Sequence, residues 1–470
     1  MDRLTIERIT NPAPRPVRVR PPDELFIDQA TFCDLEVFEA QDGQPGLFRL
    51  FDRARTRGGA DVLRKRFLAP SSDPERIRAV QASLKFMQEH RRAFDALPGQ
   101  YVMSTFDNYF HWRLAAPVSM HDAAAVVDGV QLLLESYPQY TQISRGARQT
   151  ARMISAMRRL AFDPAMAQAP GDLGEYLAQV RQTLQRPALA ALELEHEDRW
   201  GVVRVLAVDR VLRGSEKESI EHLRDLLFQL DALSSMARVT SEYGFVFPEV
   251  VDGEPQVAAE GLVHPLVPDA VANPLRLDAR SRLFFLTGPN MAGKTTYLRA
   301  TGIAIYLAHL GMGVPARWFR FAPCDALFTS ITLTDNVRAG VSFFEAEALR
   351  ARAIAAAVAA GKRVIALLDE PFKGTNVKDA MDASRAYLAR LATFERSLFL
   401  ASSHLIELAD PLMANGVTAC WRFEATESEG HLAFDYVLRD GVSAQRLGMK
   451  VLEQKGVFAL LDDPEKALEA

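Results

Sequence analysis

The residues best suited to chemistry form one short loop, Gly288-Pro-Asn-Met-Ala-Gly-Lys-Thr295, between an apolar run and a helical stretch. Glycines let backbone N–H groups close around phosphate oxygens, and the following helix N-terminus favours negative charge. Lys294 can reach the β- and γ-phosphates of a nucleotide, and Thr295 can ligate Mg²⁺. A chance match in a glycine turn is the alternative, but the strand–loop–helix context argues against it. We predict an ATP-binding loop of Gly288, Pro289, Asn290, Met291, Ala292, Gly293, Lys294, Thr295 and Thr296.

Two further candidates follow apolar, strand-like runs. Asp369 and Glu370 come directly after residues 364–368, and His404 comes shortly after residues 398–401. In ATPases with such a loop, an acid after a buried strand helps to hold Mg²⁺, and a neighbouring carboxylate can deprotonate the attacking water. We therefore predict that Asp369 shares the metal with Thr295, that Glu370 is the general base, and that His404 senses the γ-phosphate. The alternatives are a solvated strand end and a structural histidine.

These residues require parallel strands with helices between them, and the second half of the chain has that pattern. Apolar runs at 283–286, 364–368 and 398–401 alternate with helical stretches at 294–310 and 345–360, which predicts an α/β layer. Residues 24–245 are mostly helical in pattern; residues 220–239, for example, carry leucines at spacings of three and four. Residues 1–23 are rich in proline and arginine, which predicts a flexible arm. We therefore predict a helical domain over 24–245 and an α/β domain over 246–470.

Composition excludes several classes of protein. The chain has 470 residues, of which 48% are hydrophobic and 24% charged, which is ordinary globular composition and too long for one typical domain. No apolar run is long enough for a bilayer, and no secretory leader opens the chain, so we expect a cytoplasmic protein without a membrane partner. Three scattered cysteines predict a reducing compartment and no metal cluster. A net charge of -5 excludes a globally basic surface for nucleic acid.

A local basic stripe is still present. Arginines at offsets of 0, 3, 7 and 14 share one helical face in a stretch, 144–162, that contains no acid: Arg145, Arg148, Arg152 and Arg159. Such a stripe could neutralise DNA backbone phosphates, although a solvated helix face is the alternative. Aromatic residues do not interleave with it, so base stacking is not predicted. Residues 193–198, with four acids among six residues, would repel DNA.

The loop and its flanks resemble a known family. Thr287-Gly-Pro-Asn-Met-Ala-Gly-Lys-Thr-Thr-Tyr-Leu-Arg299 is similar to the ATPase signature of the MutS DNA mismatch repair family. Other segments resemble that family's ATPase domain and the start of its core domain: Asp335-Asn336, Gly340-Val-Ser342-Phe-Phe-Glu-Ala-Glu347, Asp369-Glu370 with Gly374-Thr375-Asn376, Ser403-His404-Leu-Ile-Glu407, Gly261-Leu-Val-His264-Pro265, Phe26-Ile-Asp-Gln-Ala-Thr31 and Asp34-Leu-Glu-Val-Phe38.

The resemblance implies a helical core and lever domain followed by an ABC-type ATPase domain with a mixed sheet. It implies a homodimer in which Ser342 of one chain completes the ATP site of the other, next to Lys294, Glu370 and His404. It also implies a DNA-stimulated ATPase acting on mismatched or branched DNA, associated with the nucleoid and with other repair proteins. We expect the family's mismatch-reading and connector domains to be lacking. An ATP-switched protein scaffold that does not bind DNA is the alternative.

Overall fold

The computed structural model describes residues 23–40, 43–111, 134, 136–332, 343–428, 431–443, 445, 448–454 and 457–458. The predicted arm at 1–23 therefore lies outside the described residues except for Asp23. The first part of the structure is helical, with these helices: α1 Gln29–Asp34, α2 Leu47–Phe51, α3 Arg57–Leu68, α4 Pro74–Glu89, α5 Arg91–Asp95, α6 Gln100–His111, α7 Tyr137–Ala161, α8 Gly171–Leu184, α9 Pro187–Ala190, α10 Val202–Arg210 and α11 Lys217–Glu242.

The second part alternates strands and helices, as the sequence predicts. The strands are β1 Glu249–Val250, β2 Val257–Leu262, β3 Asn273–Leu277, β4 Leu283–Thr287, β5 Trp318–Phe321, β6 Ala326–Ser330, β7 Val364–Asp369, β8 Leu398–Ser402, β9 Thr418–Arg422, β10 Ala425–Ser428, β11 His431–Phe434 and β12 Arg439–Asp440. The helices are α12 Lys294–His309, α13 Phe343–Ala359, α14 Val377–Leu391, α15 Ala409–Met413 and α16 Gly448–Gln454.

The largest sheet positions the candidate site. Its strand order is β12-β9-β4-β8-β7-β6, with β4 parallel to both β8 and β9, and β7 parallel to both β6 and β8. Among the described strands of this sheet, only β12 pairs antiparallel, so the sheet is mixed. The register aligns Leu286 and Asp369 with Ser402. The carboxyl ends of β4, β7 and β8 therefore meet at one edge, which is where open α/β sheets bind their ligands.

The described residues also form two smaller sheets. One has the order β1-β5-β2-β3, and the other is the β10-β11 hairpin. The helical part packs directly on the α/β part, because buried leucines of α11 and buried side chains of β4 and α12 belong to one hydrophobic core. The helix predicted at 220–239 lies within α11, and its leucines are buried, which confirms that prediction. In the described part of the chain, no helix is both long and apolar enough to cross a bilayer.

The segment that precedes the helical part packs on the main sheet. Phe26 forms a parallel bridge with Ala326, at the start of β6. The buried carboxylate of Asp34 accepts hydrogen bonds from Thr329 Oγ1 at 2.6 Å and from the amide of Ile331 at 2.9 Å. Residues 24–37 therefore contact the α/β layer, although the sequence groups them with the helical domain.

His309 predicts an acid-sensitive part of the fold. This buried side chain donates from Nδ1 to Ile305 O at 2.8 Å and accepts at Nε2 from the Cys324 amide at 3.0 Å. Burial lowers the pKa of His309 to about 4, so the folded protein keeps it neutral while the unfolded chain takes up a proton below about pH 6.5. Stability is therefore lost as the pH falls from about 6.5 towards 4.

Because of His309, we expect the free energy of unfolding to be about 2 kcal/mol lower at pH 5 than at pH 7. Urea unfolding of the wild type and of His309→Gln at both pH values would measure it, because the variant loses this part of the pH dependence. His222→Gln is the control, since His222 is exposed on α11. An equal pH dependence in His309→Gln and the wild type would contradict the prediction.

Candidate nucleotide site

The loop between β4 and α12 is held by two glycines and a lysine. Gly288 and Gly293 have φ of +149° and +99°, and a Cβ on Gly288 would lie 2.9 Å from Phe423 O. The buried Lys294 ammonium lies inside the loop and donates to Gly288 O at 2.9 Å and to Pro289 O at 3.2 Å. Burial lowers the pKa of Lys294. The loop thus concentrates a desolvated positive charge and backbone amides at the start of a helix, which suits a phosphate.

The predicted metal ligands lie together. Thr295 Oγ1 donates to Asp369 Oδ2 at 2.6 Å, and the other oxygen of Asp369 accepts from Ser402 on β8. One hydroxyl and one carboxylate beside a phosphate-binding loop form the hard oxygen set that Mg²⁺ prefers when it binds together with nucleotide phosphates. The residues present therefore fit Mg²⁺.

Glu370 lies next to this pair and is kept ionised. Its amide donates to Ser402 O at 3.0 Å, and its φ of +50° turns the chain sharply after β7. Nδ1 of His404 lies 3.4 Å from Glu370 Oε1. The hydrogen bond with His404 lowers the pKa of Glu370, and the same bond raises the pKa of His404. The lowered pKa keeps the carboxylate ionised at neutral pH, which is the state in which it can accept a proton from water.

The site opens into a cleft of about 720 Å³ that extends away from the loop towards β3 and β11. Side chains that the sequence did not assign to the site form this far end, among them Val271, Phe423 and Tyr436. Tyr436 has a φ of +55°, and its ring edge lies 3.2 Å from where a Cβ on Gly293 would be. The arrangement offers an apolar and aromatic wall beside the phosphate loop, which suits the base of a nucleotide.

Asn273 fixes the position of Tyr436. Its Nδ2 donates to Tyr436 O at 2.9 Å, and its Oδ1 accepts from the Leu438 amide at 2.7 Å. Asn273 ends the turn into β3, whereas Tyr436 follows β11, so more than 160 residues separate the two along the chain. No local motif announces this pairing, which is why sequence patterns did not find Tyr436.

One predicted part of the site lies outside the described residues. Ser342, with Asp335-Asn336 and Gly340, falls in the range 333–342, which is not among the residues that the structure describes. The helix that follows is described, and it contacts the acidic loop, because buried Glu347 accepts from the amides of Lys373 and Gly374, both at 3.0 Å. Burial raises the pKa of Glu347. α13 is therefore tied to the segment that follows Glu370.

The four predicted DNA-binding arginines lie on α7, far along the chain from this cleft. Arg145 and Arg159 are exposed, whereas Arg148 donates to the carbonyls of Asp198 at 2.7 Å and Trp200 at 2.8 Å. Arg152 pairs with the carboxylates of Glu197 and Asp198, both at 2.7 Å. The acids expected to repel DNA are thus partly balanced by Arg152. DNA contact by this face stays a prediction.

A comparison with protein families agrees with the chemistry of this site. A family model described as MutS domain V matches residues 284–467. The match includes the loop at 288–296, the acidic pair, His404 and Tyr436. It supports membership of the MutS family, in which this domain is the ATPase domain and uses ATP with Mg²⁺.

Proposed function

We propose that this protein is a MutS-like ATPase that works as a dimeric, ATP-gated clamp on mismatched or branched DNA. The ATPase part of the proposal rests on the meeting of Thr295, Asp369 and Glu370 at the carboxyl ends of β4 and β7, beside a phosphate-binding loop, whereas the dimeric clamp and its DNA rest on the similarity to the MutS family. An ABC-type ATPase domain, a cytoplasmic and nucleoid location, and contacts with other repair proteins belong to the same proposal.

The side chains divide the work of ATP hydrolysis between them. Backbone N–H groups of residues 290–296 cradle the phosphates, and Lys294 exchanges its carbonyl partners for β- and γ-phosphate oxygens. Thr295 and Asp369 would hold Mg²⁺, which supplies charge neutralisation to the phosphates when it is bound. Glu370 accepts the proton of the water that attacks the γ-phosphorus, and His404 orients the Glu370 carboxylate. Tyr436 packs against the base.

Hydrolysis in this proposal needs two chains, because Ser342 acts on nucleotide bound by the partner. A Ser342→Ala chain mixed with a Lys294→Ala chain forms heterodimers that have one intact composite site. With random pairing, half of the dimers are mixed and each regains one of two sites, so we expect about a quarter of wild-type turnover per chain. Each variant alone is the control and should be inactive. If Ser342→Ala alone turns over ATP like the wild type, the composite site does not exist.

DNA binding would separate the clamp from a scaffold that binds only proteins. We expect mismatched duplex or a four-way junction to bind more tightly than matched duplex, with affinity that falls as salt rises because phosphate contacts release counterions. Fluorescence anisotropy at two salt concentrations, with and without a non-hydrolysable ATP analogue, measures this. Preference for the mismatch indicates repair, and preference for the junction indicates recombination. Absence of salt-sensitive binding to all three ligands would leave the scaffold.

A further inference from the structure

We propose that a groove between α6 and α7 binds unpaired nucleotides, by stacking their bases on tyrosine rings and holding the strand with arginine. The groove has a volume of about 350 Å³, and we call it the tyrosine–arginine groove. Its lining includes Tyr101, Tyr137, Tyr140, Arg145, Arg148 and Arg152. The inference rests on the proposed function, since it names a DNA structure that the clamp would recognise.

The aromatic rings of the groove are available for stacking. The side chains of Tyr101 and Tyr137 are 67% and 65% exposed, values that are unusual for rings of this size. Tyr140 is half-buried and packs against the hydrophobic core, so it forms the floor. Among the residues that the structure describes, none of these three rings pairs with another aromatic ring. The exposed rings of Tyr101 and Tyr137, beside the fixed ring of Tyr140, can each stack on one base of a strand whose bases are not stacked on one another.

The charge in the groove suits a phosphate backbone. Its lining contains three arginines and one acid, Asp198, but Arg152 pairs with Asp198 and with the neighbouring Glu197, so the positive charge left for a phosphate comes from Arg145 and Arg148. Arg148 and Arg152 are held in place by the loop at 197–200, so their positions are fixed before a ligand arrives. Arg145 is exposed one turn closer to the tyrosines and forms no hydrogen bond or ion pair within the described ranges. It can therefore pair with a phosphate without first giving up a protein partner.

A hydrogen-bond acceptor without a protein partner lies just beneath the wall of the groove. Gln149 is 7% exposed and lines the groove, and its Oε1 is buried without a partner in the part of the chain that is described. An unpaired buried acceptor is costly, and a donor that enters the groove would remove that cost. Amino and imino groups on the edges of unpaired bases are such donors.

The ligand must be unpaired, because bases in a duplex stack on one another and hide their faces. A single-stranded flap, a gap or the open centre of a junction presents them. Sequence patterns did not predict base stacking, since no aromatic residue interleaves with the arginines of α7. The structure supplies the rings from elsewhere: Tyr101 from the start of α6, and Tyr137 and Tyr140 from the first turn of α7.

The test compares two double variants of the full chain: Tyr101→Ala with Tyr137→Ala, and Tyr101→Phe with Tyr137→Phe. The probes are a fluorescein-labelled 12-nucleotide oligothymidine and the same backbone without bases. We expect the alanine variant to bind oligothymidine at least about tenfold more weakly than the wild type, and the phenylalanine variant to bind it normally. The baseless backbone should bind all three proteins equally. Arg145→Ala should lower the salt dependence by about one ionic contact.

The outcomes separate this inference from the clamp. ATP turnover without DNA should be the same in both double variants and the wild type, because both tyrosines are exposed and neither lines the cleft. Equal oligothymidine affinity in the alanine and phenylalanine variants overturns the inference, even if the groove turns out to bind a protein. A wild type that binds junctions but no single strand also overturns it and leaves the clamp standing. Tyrosine-dependent binding of single strands, without binding of mismatched or branched DNA, supports the groove and overturns the clamp.

Discussion

Replacing Glu370 with glutamine is expected to lower ATP turnover by about two to four orders of magnitude while nucleotide affinity changes only a few-fold. The amide keeps the shape of the side chain but cannot accept a proton from water, and general base catalysis contributes about that much to a rate. Glu370 lines the cleft but is not part of the phosphate loop or of the Thr295–Asp369 pair, so we expect the loss of its charge to change nucleotide affinity far less than turnover. Single-turnover hydrolysis and equilibrium binding of a fluorescent ATP analogue would measure the two effects separately.

The control is Glu395→Gln, because Glu395 is an exposed carboxylate just before β8, at the opposite end of that strand from the site. It should hydrolyse ATP like the wild type. His404→Ala should lose less than Glu370→Gln, because His404 contacts the carboxylate and is predicted to sense the γ-phosphate but does not itself accept the proton of the water. If Glu370→Gln keeps more than about a tenth of the wild-type rate, another group is the base.

The pH dependence of hydrolysis follows from the same contact. The hydrogen bond with His404 lowers the pKa of Glu370, so the carboxylate is protonated, and the base is lost, at a lower pH than for an ordinary glutamate. His404→Ala removes that bond and leaves the burial that raises the pKa. We therefore expect the acid limb of the rate profile to move to higher pH in His404→Ala. A limb that does not move would contradict the coupling.

Local patterns predicted the elements that carry the phosphate chemistry. The strand predicted at 283–286 is β4, the run at 364–368 is β7, and both end where chemistry was expected. The reason is physical: buried parallel strands are continuous apolar runs, and a phosphate loop needs its glycines and lysine at fixed spacing. These signals lie within about ten residues, so one sequence is enough to show them.

Contacts between residues that are far apart in the sequence could not be predicted from local patterns. Tyr436 reaches the cleft only because Asn273 holds its backbone, and Arg152 meets Glu197 across 45 residues of chain. The stripe of arginines was predicted to share a face of α7, but helical periodicity cannot show which neighbouring loop covers it. Packing between elements decides such contacts, and periodicity within one element does not encode them.

Replacing Arg350 with methionine is expected to destabilise the protein by about 3 kcal/mol, because it leaves one partner of a mostly buried ion pair alone. Arg350 is 8% exposed on α13. Its guanidinium pairs with Asp28 and donates to Thr329 O at 2.7 Å and Thr31 Oγ1 at 2.9 Å. One side chain thus joins α13, the end of β6 and the segment before α1. Urea unfolding at pH 7 would measure the loss, with exposed Arg352→Met on the same helix as the control.

The acid dependence of this loss would show whether the ion pair causes it. Burial raises the pKa of Asp28, but the hydrogen bond and charge of Arg350, with the bonds from Thr31, outweigh burial, and the pKa lies below its ordinary value. In the wild type this stabilisation is present above about pH 4 and is lost as the pH falls through the lowered pKa. Without Arg350 only burial and Thr31 remain, so protonating Asp28 costs the variant less.

The difference between the wild type and Arg350→Met should therefore shrink below about pH 4. The double variant Asp28→Asn with Arg350→Met should recover part of the stability at pH 7, since no unpaired charge is then buried. A loss that is independent of pH, and that Asp28→Asn does not relieve, would mean that Arg350 acts only through packing. A pH-dependent loss would show that the ion pair between Asp28, before α1, and Arg350, on α13, stabilises the α/β part of the fold.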